Sequence, residues 1–234
     1  MALLEILRQE KKYLLNYIEV EQLRYLLDQT LSRDKFGTWQ KGYLVRSLYF
    51  DTLDNTDFTE KLDGIEDRKK IRLRTYSPES DHVKLELKEK QGDFQRKRSL
   101  LLSRTEAEEM IDGRYGCLIK RRDEFSWEMY TLLEKNLYRP RCIVEYDRIA
   151  WIVPENDIRI TLDGDIRATE LSFDLFSKEI MFYPVLDIGK TVLEVKFNRF
   201  LLSYVRDLLA GKERFQISVS KYSMARSISM NGIE

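Results

Sequence analysis

Arg72 and Arg74 alternate with Ile71 and Leu73, so an extended strand here carries both guanidinium groups on one face. The pattern recurs along the chain. Lys84, Glu86, Lys88 and Lys90 alternate with Val83, Leu85 and Leu87; Arg96 and Arg98 share a face; Arg159, Thr161 and Asp163 alternate with Ile158, Ile160 and Leu162. Glu194 and Lys196 alternate with Leu193, Val195 and Phe197. Residues 68–98 hold eleven Lys/Arg and five Asp/Glu, a local net of +6 in a chain whose forty basic and forty acidic residues cancel. Like charges facing one another across strands destabilise a sheet by roughly several tenths of a kcal/mol per pair. Rows of them persist most easily where a polyanion neutralises them. Arg offers bidentate donors to phosphate oxygens, Lys offers point charges, and a few interspersed carboxylates can hold a divalent metal.

Other chemistries are poorly supported. A single histidine, His82, excludes zinc sites and relays that need two; it reads as a solvated turn residue. Cys117 and Cys142 lie too far apart in the chain to suggest a disulfide framework or a Cys-type zinc site. Gly189-Lys190-Thr191 looks like the end of a phosphate loop, but Pro184 stands where the first glycine belongs and a strand follows. Arg96-Lys97-Arg98 has the composition of a nucleic-acid patch, a reading that the neutral balance disfavours. Trp39, Trp127 and Trp151 read as core or rim aromatics.

The elements that must position these charges are mostly strands. Period-two runs cover 9–15, 44–52, 70–76, 82–90, 93–102, 141–151, 157–163, 191–197 and 217–223. Helical spacing covers 17–31, through Ile18, Leu23, Leu26, Leu27 and Leu31. A capping box at Ser103 and Glu106 opens a second helix ending at Gly113; a third spans 123–138, and a fourth spans 199–210 with Phe200, Tyr204, Leu208 and Leu209. With 43% apolar residues, 34% charged and no linker-like stretch, residues 1–234 read as one α+β domain. Eight or nine strands suit a closed barrel with helices packed outside and the charged faces inside. No apolar run approaches about 18 residues and Met1–Leu7 has no basic n-region, so a cytoplasmic protein without membrane insertion is expected.

The ordered series Arg8-x-Glu10-x-Lys12-Tyr13, SLYFDT (47–52), KIRLR (70–74), LELKEK (85–90), EYDRIAW (145–151), RITLD (159–163), LEVKF (193–197) and SKY (220–222) resembles the VTC domain, the polyphosphate-polymerase domain within the CYTH/triphosphate tunnel metalloenzymes. The resemblance implies a closed eight-stranded antiparallel tunnel that binds triphosphate with Mn²⁺ or Mg²⁺. It implies transfer of the ATP γ-phosphate to polyphosphate, with ATP, triphosphate and polyphosphate as ligands, no nucleic acid, and a membrane partner protein for any translocation. By position in those motifs, Lys12, Arg72, Arg74, Lys88, Arg148 and Lys221 match catalytic tunnel cations, Arg96 stands where the pattern has a lysine, and Glu194 matches the metal carboxylate. Tyr146 and Ser220 match polar substrate contacts, and Glu10, Lys84, Glu86, Arg98, Arg159 and Lys196 are placed to contact substrate. Arg8 replaces the first Glu of the hydrolytic Glu-x-Glu-x-Lys opening, and Ser218 replaces a tunnel lysine. Two alternatives stay open: a polyanion-binding module of weak catalytic power, and a tunnel-type triphosphatase.

Overall fold

The computed structural model describes residues 8–36, 42–92, 94–211, 216–217 and 220–230. Ser218, Val219 and Trp39 lie outside the described residues. Eight strands form one antiparallel path: β1 (Arg8–Leu15), β3 (Tyr43–Asp51), β4 (Arg68–Thr75), β5 (His82–Gln91), β6 (Phe94–Ser103), β7 (Arg139–Val153), β8 (Ile158–Thr169) and β10 (Thr191–Asn198). Their spatial order is β1-β10-β8-β7-β3-β4-β5-β6; the two-residue strands β2 (Ser32–Arg33) and β9 (Tyr183–Pro184) pair with β7 and β8. The expected closed barrel is not formed by hydrogen bonds. The edge strands β1 and β6 come within 8 Å between Cα atoms but do not pair, so the sheet is curved and open along one seam.

Burial on the outer face follows the alternation. Leu48, Ile71, Leu73, Leu85, Leu87 and Leu102 meet α3 (Arg104–Ile111), α4 (Gly116–Ile119) and α5 (Glu124–Lys135) through Ala107, Met110, Leu118, Met129 and Leu133. Around the other half, Tyr13, Trp151, Ile160, Leu193 and Val195 meet α1 (Tyr17–Thr30) and α6 (Ser203–Leu208) through Leu23, Leu27 and Val205. The expected capping box is present: Ser103 Oγ accepts from Glu106 N and the Glu106 carboxylate accepts from Ser103 N. Asn16 and Glu19 make a second one at α1.

Not every helix lies outside, as had been expected. Residues 221–230, expected to begin within a strand, form α7 (Lys221–Met230), which packs Tyr222 and Ala225 against Val45, Val144, Tyr146, Ala168 and Val192 on the inner face. Phe58 of α2 (Thr56–Leu62) joins this third core, where the Tyr222 ring stacks on Tyr49 with centroids 5.1 Å apart. Ser220 caps α7 by accepting Ser223 N at 3.0 Å, and this local bond outweighs the strand-like alternation of 217–223. The fourth helix is also shorter than its spacing suggested, leaving Phe200 outside it and 60% exposed. Among the described residues no helix is long and apolar enough to cross a membrane.

Candidate functional site

The inner face of the sheet, with α2 and the start of α7, surrounds a cavity of about 450 Å³ whose lining, among the described residues, holds fourteen Lys or Arg and two glutamates. Of the residues singled out from sequence, Glu10, Lys12, Arg72, Arg74, Lys88, Tyr146, Arg148, Glu194, Lys196, Ser220 and Lys221 line it. Each comes from the inward positions of β1, β4, β5, β7 and β10, or from the first turn of α7 and its cap.

Two front carboxylates organise the cations. Glu194 Oε1 meets Lys221 Nζ at 2.9 Å and Lys12 Nζ at 3.8 Å, while Oε2 meets Lys196 Nζ at 3.0 Å and Arg148 at 3.4 Å. Burial alone would raise its pKa, but Lys196, Lys221, Lys12 and Arg148 outweigh burial and hold it well below the carboxylate range. Glu10 takes Lys12 at 2.9 Å and Lys88 at 3.0 Å, which likewise overcome the effect of burial and keep it ionised. The Lys88–Glu10 bridge joins β5 to β1 across the open seam. Lys88 itself is pulled down to about 8: burial disfavours the ammonium, and the attraction of Glu10, opposed by Lys12 and Lys196, does not make up for it.

Two further carboxylates sit behind the wall. Asp163, fully buried, receives Arg148 in a bidentate pair at 2.6 and 2.7 Å and Lys221 at 2.6 Å. Glu86, expected as a substrate contact, is sealed at 2% exposure beneath Arg72 (2.7 Å), Lys97 (3.3 Å) and Arg74 (3.6 Å). Both carboxylates orient guanidinium groups from behind, and Arg72, Arg74 and Arg148 all reach the cavity lining.

Four expected site residues lie elsewhere. The β5–β6 register pairs Lys88 with Lys97 and Leu87 with Arg98, which turns Arg96 and Arg98 to the helix side. Arg98 lies over the Phe125 ring and bonds Glu128 and Glu89; the β6 cation that lines the cavity is Lys97. Lys84 is exposed near the Tyr76 ring, and Arg159 bonds Asp34 and the Tyr43 hydroxyl; both lie on the inward face beyond the cavity's end, where the Tyr43 and Tyr76 rings meet at 5.8 Å. Sequence reasoning missed Lys70, although it continues the Arg72–Arg74 alternation, and it also missed Tyr49, whose hydroxyl accepts from Arg72 at 2.9 Å. Gly42 positions the opposite wall: at φ +72° an added Cβ would lie 2.1 Å from the Arg148 carbonyl oxygen, so only glycine lets β3 begin this close to β7.

The sequence matches the VTC domain family over residues 7–230. The chain belongs to the VTC domain family. No curated protein matches it. Among solved structures, this VTC domain is similar to a candidate adenylate cyclase from Vibrio parahaemolyticus, with 15% identity, a TM-score of 0.53 and coverage of 94% of this chain and 98% of that one. It is also similar to a candidate adenylyl cyclase from Hippeastrum described as having a dominant triphosphatase activity, with 16% identity, a TM-score of 0.52 and coverage of 93% and 95%. A candidate adenylate cyclase from Bacillus halodurans follows at 14% identity and 0.51, covering 92% and 95%. At these identities the likeness concerns the fold, that of the CYTH-like tunnel proteins.

The motif resemblance carries the expectation of Mn²⁺ or Mg²⁺. Among the described residues of the VTC domain, no group of three His, Cys, Asp or Glu is placed to hold one. Glu10 and Glu194 nevertheless converge, sharing Lys12 and Lys196 as partners. Two hard carboxylates fit a Mg²⁺ or Mn²⁺ that completes its shell with phosphate oxygens and water, the usual arrangement for that ion, and do not make a protein-only cage.

Proposed function

We propose that this VTC domain is a metal-assisted phosphotransferase that moves the γ-phosphate of ATP onto a growing polyphosphate chain inside the cavity. The observation that carries the reading is the lining of fourteen cations and two carboxylates around about 450 Å³, within a VTC domain. Phosphoryl transfer asks a protein for positioning and charge neutralisation more than for covalent chemistry. Arg72, Arg74 and Arg148, held from behind by Glu86 and Asp163, present donors in fixed directions to the triphosphate. Lys12, Lys88 and Lys196 exchange Glu10 and Glu194 for phosphate oxygens as the anion enters. Lys97, 55% exposed, adds a further cation to the lining. Glu194 with Glu10 would hold the divalent ion, which neutralises charge on the transferring phosphate when bound. An acceptor phosphate is already ionised, so no histidine base is required. A membrane partner for product translocation belongs to the same proposal.

The deciding experiment incubates the purified chain with ATP and Mn²⁺ and resolves the products on a gel. Long-chain polyphosphate is the expected product. Release of orthophosphate without polymer would instead make the protein a triphosphatase, the activity described for the Hippeastrum protein. Tight binding of polyphosphate without ATP consumption would make it a polyanion-binding module.

A further inference from the structure

Ser220 and Lys70 make a contact that charge neutralisation does not explain. Lys70 Nζ lies 2.7 Å from Ser220 Oγ, and both residues line the cavity. The charged groups that act most on Lys70 are cations, Lys12, Lys88, Lys61 and Arg68, and its Nζ lies 5.8 Å from the centre of the Tyr222 ring. Burial first, and then these cations, push its amine well below the ordinary lysine range. A neutral amine accepts a hydroxyl proton.

The other partners of Ser220 supply the complementary half. Its Oγ accepts Ser223 N–H at 3.0 Å and lies 2.9 Å from Ser223 Oγ, at the N-terminus of the ten-residue α7. Ser223 N–H donates inward, and when Ser223 Oγ–H donates as well the Ser220 proton is left to point at Lys70. The same donors and the positive end of the helix stabilise negative charge on Oγ. A base on one side and anion-stabilising donors on the other make an activated nucleophile.

We propose that Ser220 is a covalent acceptor of phosphate, with Lys70 as its general base, so that a polymer can start when no free polyphosphate is present. The proposal rests on the reading of the cavity as an ATP-using phosphotransferase. In the step, the Ser220 Oγ–H proton passes to Lys70 Nζ and a bond forms between Oγ and the γ-phosphorus. The bond from that phosphorus to the β–γ bridging oxygen breaks, and ADP departs with the electron pair. The products are phosphoserine, ADP and the Lys70 ammonium.

A serine at this position also serves as a helix cap, and the test separates the two roles. The full chain is mixed, in excess, with γ-labelled ATP and Mn²⁺ without added polyphosphate, then digested and mapped by mass spectrometry. Wild type is expected to carry one phosphate on Ser220, and Ser220→Thr on the replacement threonine. Ser220→Asn, which keeps a capping side chain without a hydroxyl, and Lys70→Met are expected to carry none there. Polymer formation by wild type with Ser220 unmodified throughout overturns the inference and leaves the polymerase reading standing. Label retained at another residue in Ser220→Asn, at the wild-type level, also overturns it. No ATP consumption by any of the proteins overturns both.

Discussion

Lys88 is held in the cavity at a cost to the folded state, so Lys88→Met is expected to stabilise the unliganded protein while weakening its hold on triphosphate. Burial and neighbouring cations lower its pKa from 10.5 to about 8, which corresponds to ~3.4 kcal/mol against the ammonium at about 1.36 kcal/mol per unit. The side chain keeps 34% exposure and its loss also removes a partner of Glu10; discounting for both leaves about 1 kcal/mol. For a chain of this size that is a rise in melting temperature of about 2–4 °C at pH 7. Because the folded pKa is depressed, the native state is penalised fully below pH 8. It sheds the proton as pH rises, while the unfolded chain keeps its own until about 10.5. The advantage of Met should therefore shrink through this window, to about a quarter by pH 10. Thermal melts of both proteins at pH 7 and pH 10 read this directly. Loss of one charged hydrogen-bond donor should weaken triphosphate binding by roughly tenfold to a hundredfold in calorimetry. A lower melting temperature for Lys88→Met at pH 7, or a gain of equal size at both pH values, would refute the reasoning and make Lys88 an ordinary partner of Glu10.

The β6 register makes Lys97→Ala weaken triphosphate binding by about two- to fivefold, modest because Lys97 is 55% exposed, while Arg96→Ala should change nothing measurable; the reverse order in calorimetry would overturn the assigned face. Triphosphate at 100 times its dissociation constant should raise stability by about 2.7 kcal/mol, read as about 5–10 °C in a melt, with sulfate at matched ionic strength giving much less. Equal shifts would indicate generic screening. Glu194→Gln should lower polymer formation on a gel by orders of magnitude, because it removes charge that holds a hard cation, yet leave triphosphate affinity intact or tighter. A wild-type rate in that variant would remove Glu194 from the metal role. Gly42→Ala should lower the melting temperature by about 3–10 °C, since φ +72° and a Cβ contact of 2.1 Å with Arg148 force the strands apart; an unchanged melt would show that the turn yields.

Strands were legible wherever charge and apolar residues alternate strictly, as in β4, β5, β8 and β10, and there the inward positions follow from parity alone. In β6 the Arg96-Lys97-Arg98 run is followed by Leu100-Leu101-Leu102, so both parities carry the same residue type. Only the pairing of Lys88 with Lys97 decides between them, and that is a tertiary fact. Residues 217–223 show the opposite failure. Their alternation is that of a strand, but the Ser220 cap turns the chain into α7 and delivers Lys221 from a helix. Helical spacing also overstated burial, since Ile18 sits on the periodic face of α1 yet is 67% exposed. Closure of the sheet depends on whether β1 and β6 meet, and no local pattern encodes that.

The carboxylates of an anion cavity need a reason, because each repels the ligand. Their placement supplies one. Fourteen cations around one cavity cannot be desolvated without partners, so the unliganded state must carry its own anions. Glu86 and Asp163, at 2% and 0% exposure, lie behind the wall; they neutralise Arg72, Arg74 and Arg148 and fix the guanidinium planes. Glu10 and Glu194 lie in the wall itself and hold lysines, whose compact ammonium groups swing between partners at little geometric cost. Binding phosphate is therefore an exchange at the lysines over a framework set by the arginines. The exchange frees the carboxylates that fit a divalent ion as the phosphates arrive, so anion and metal binding should each strengthen the other.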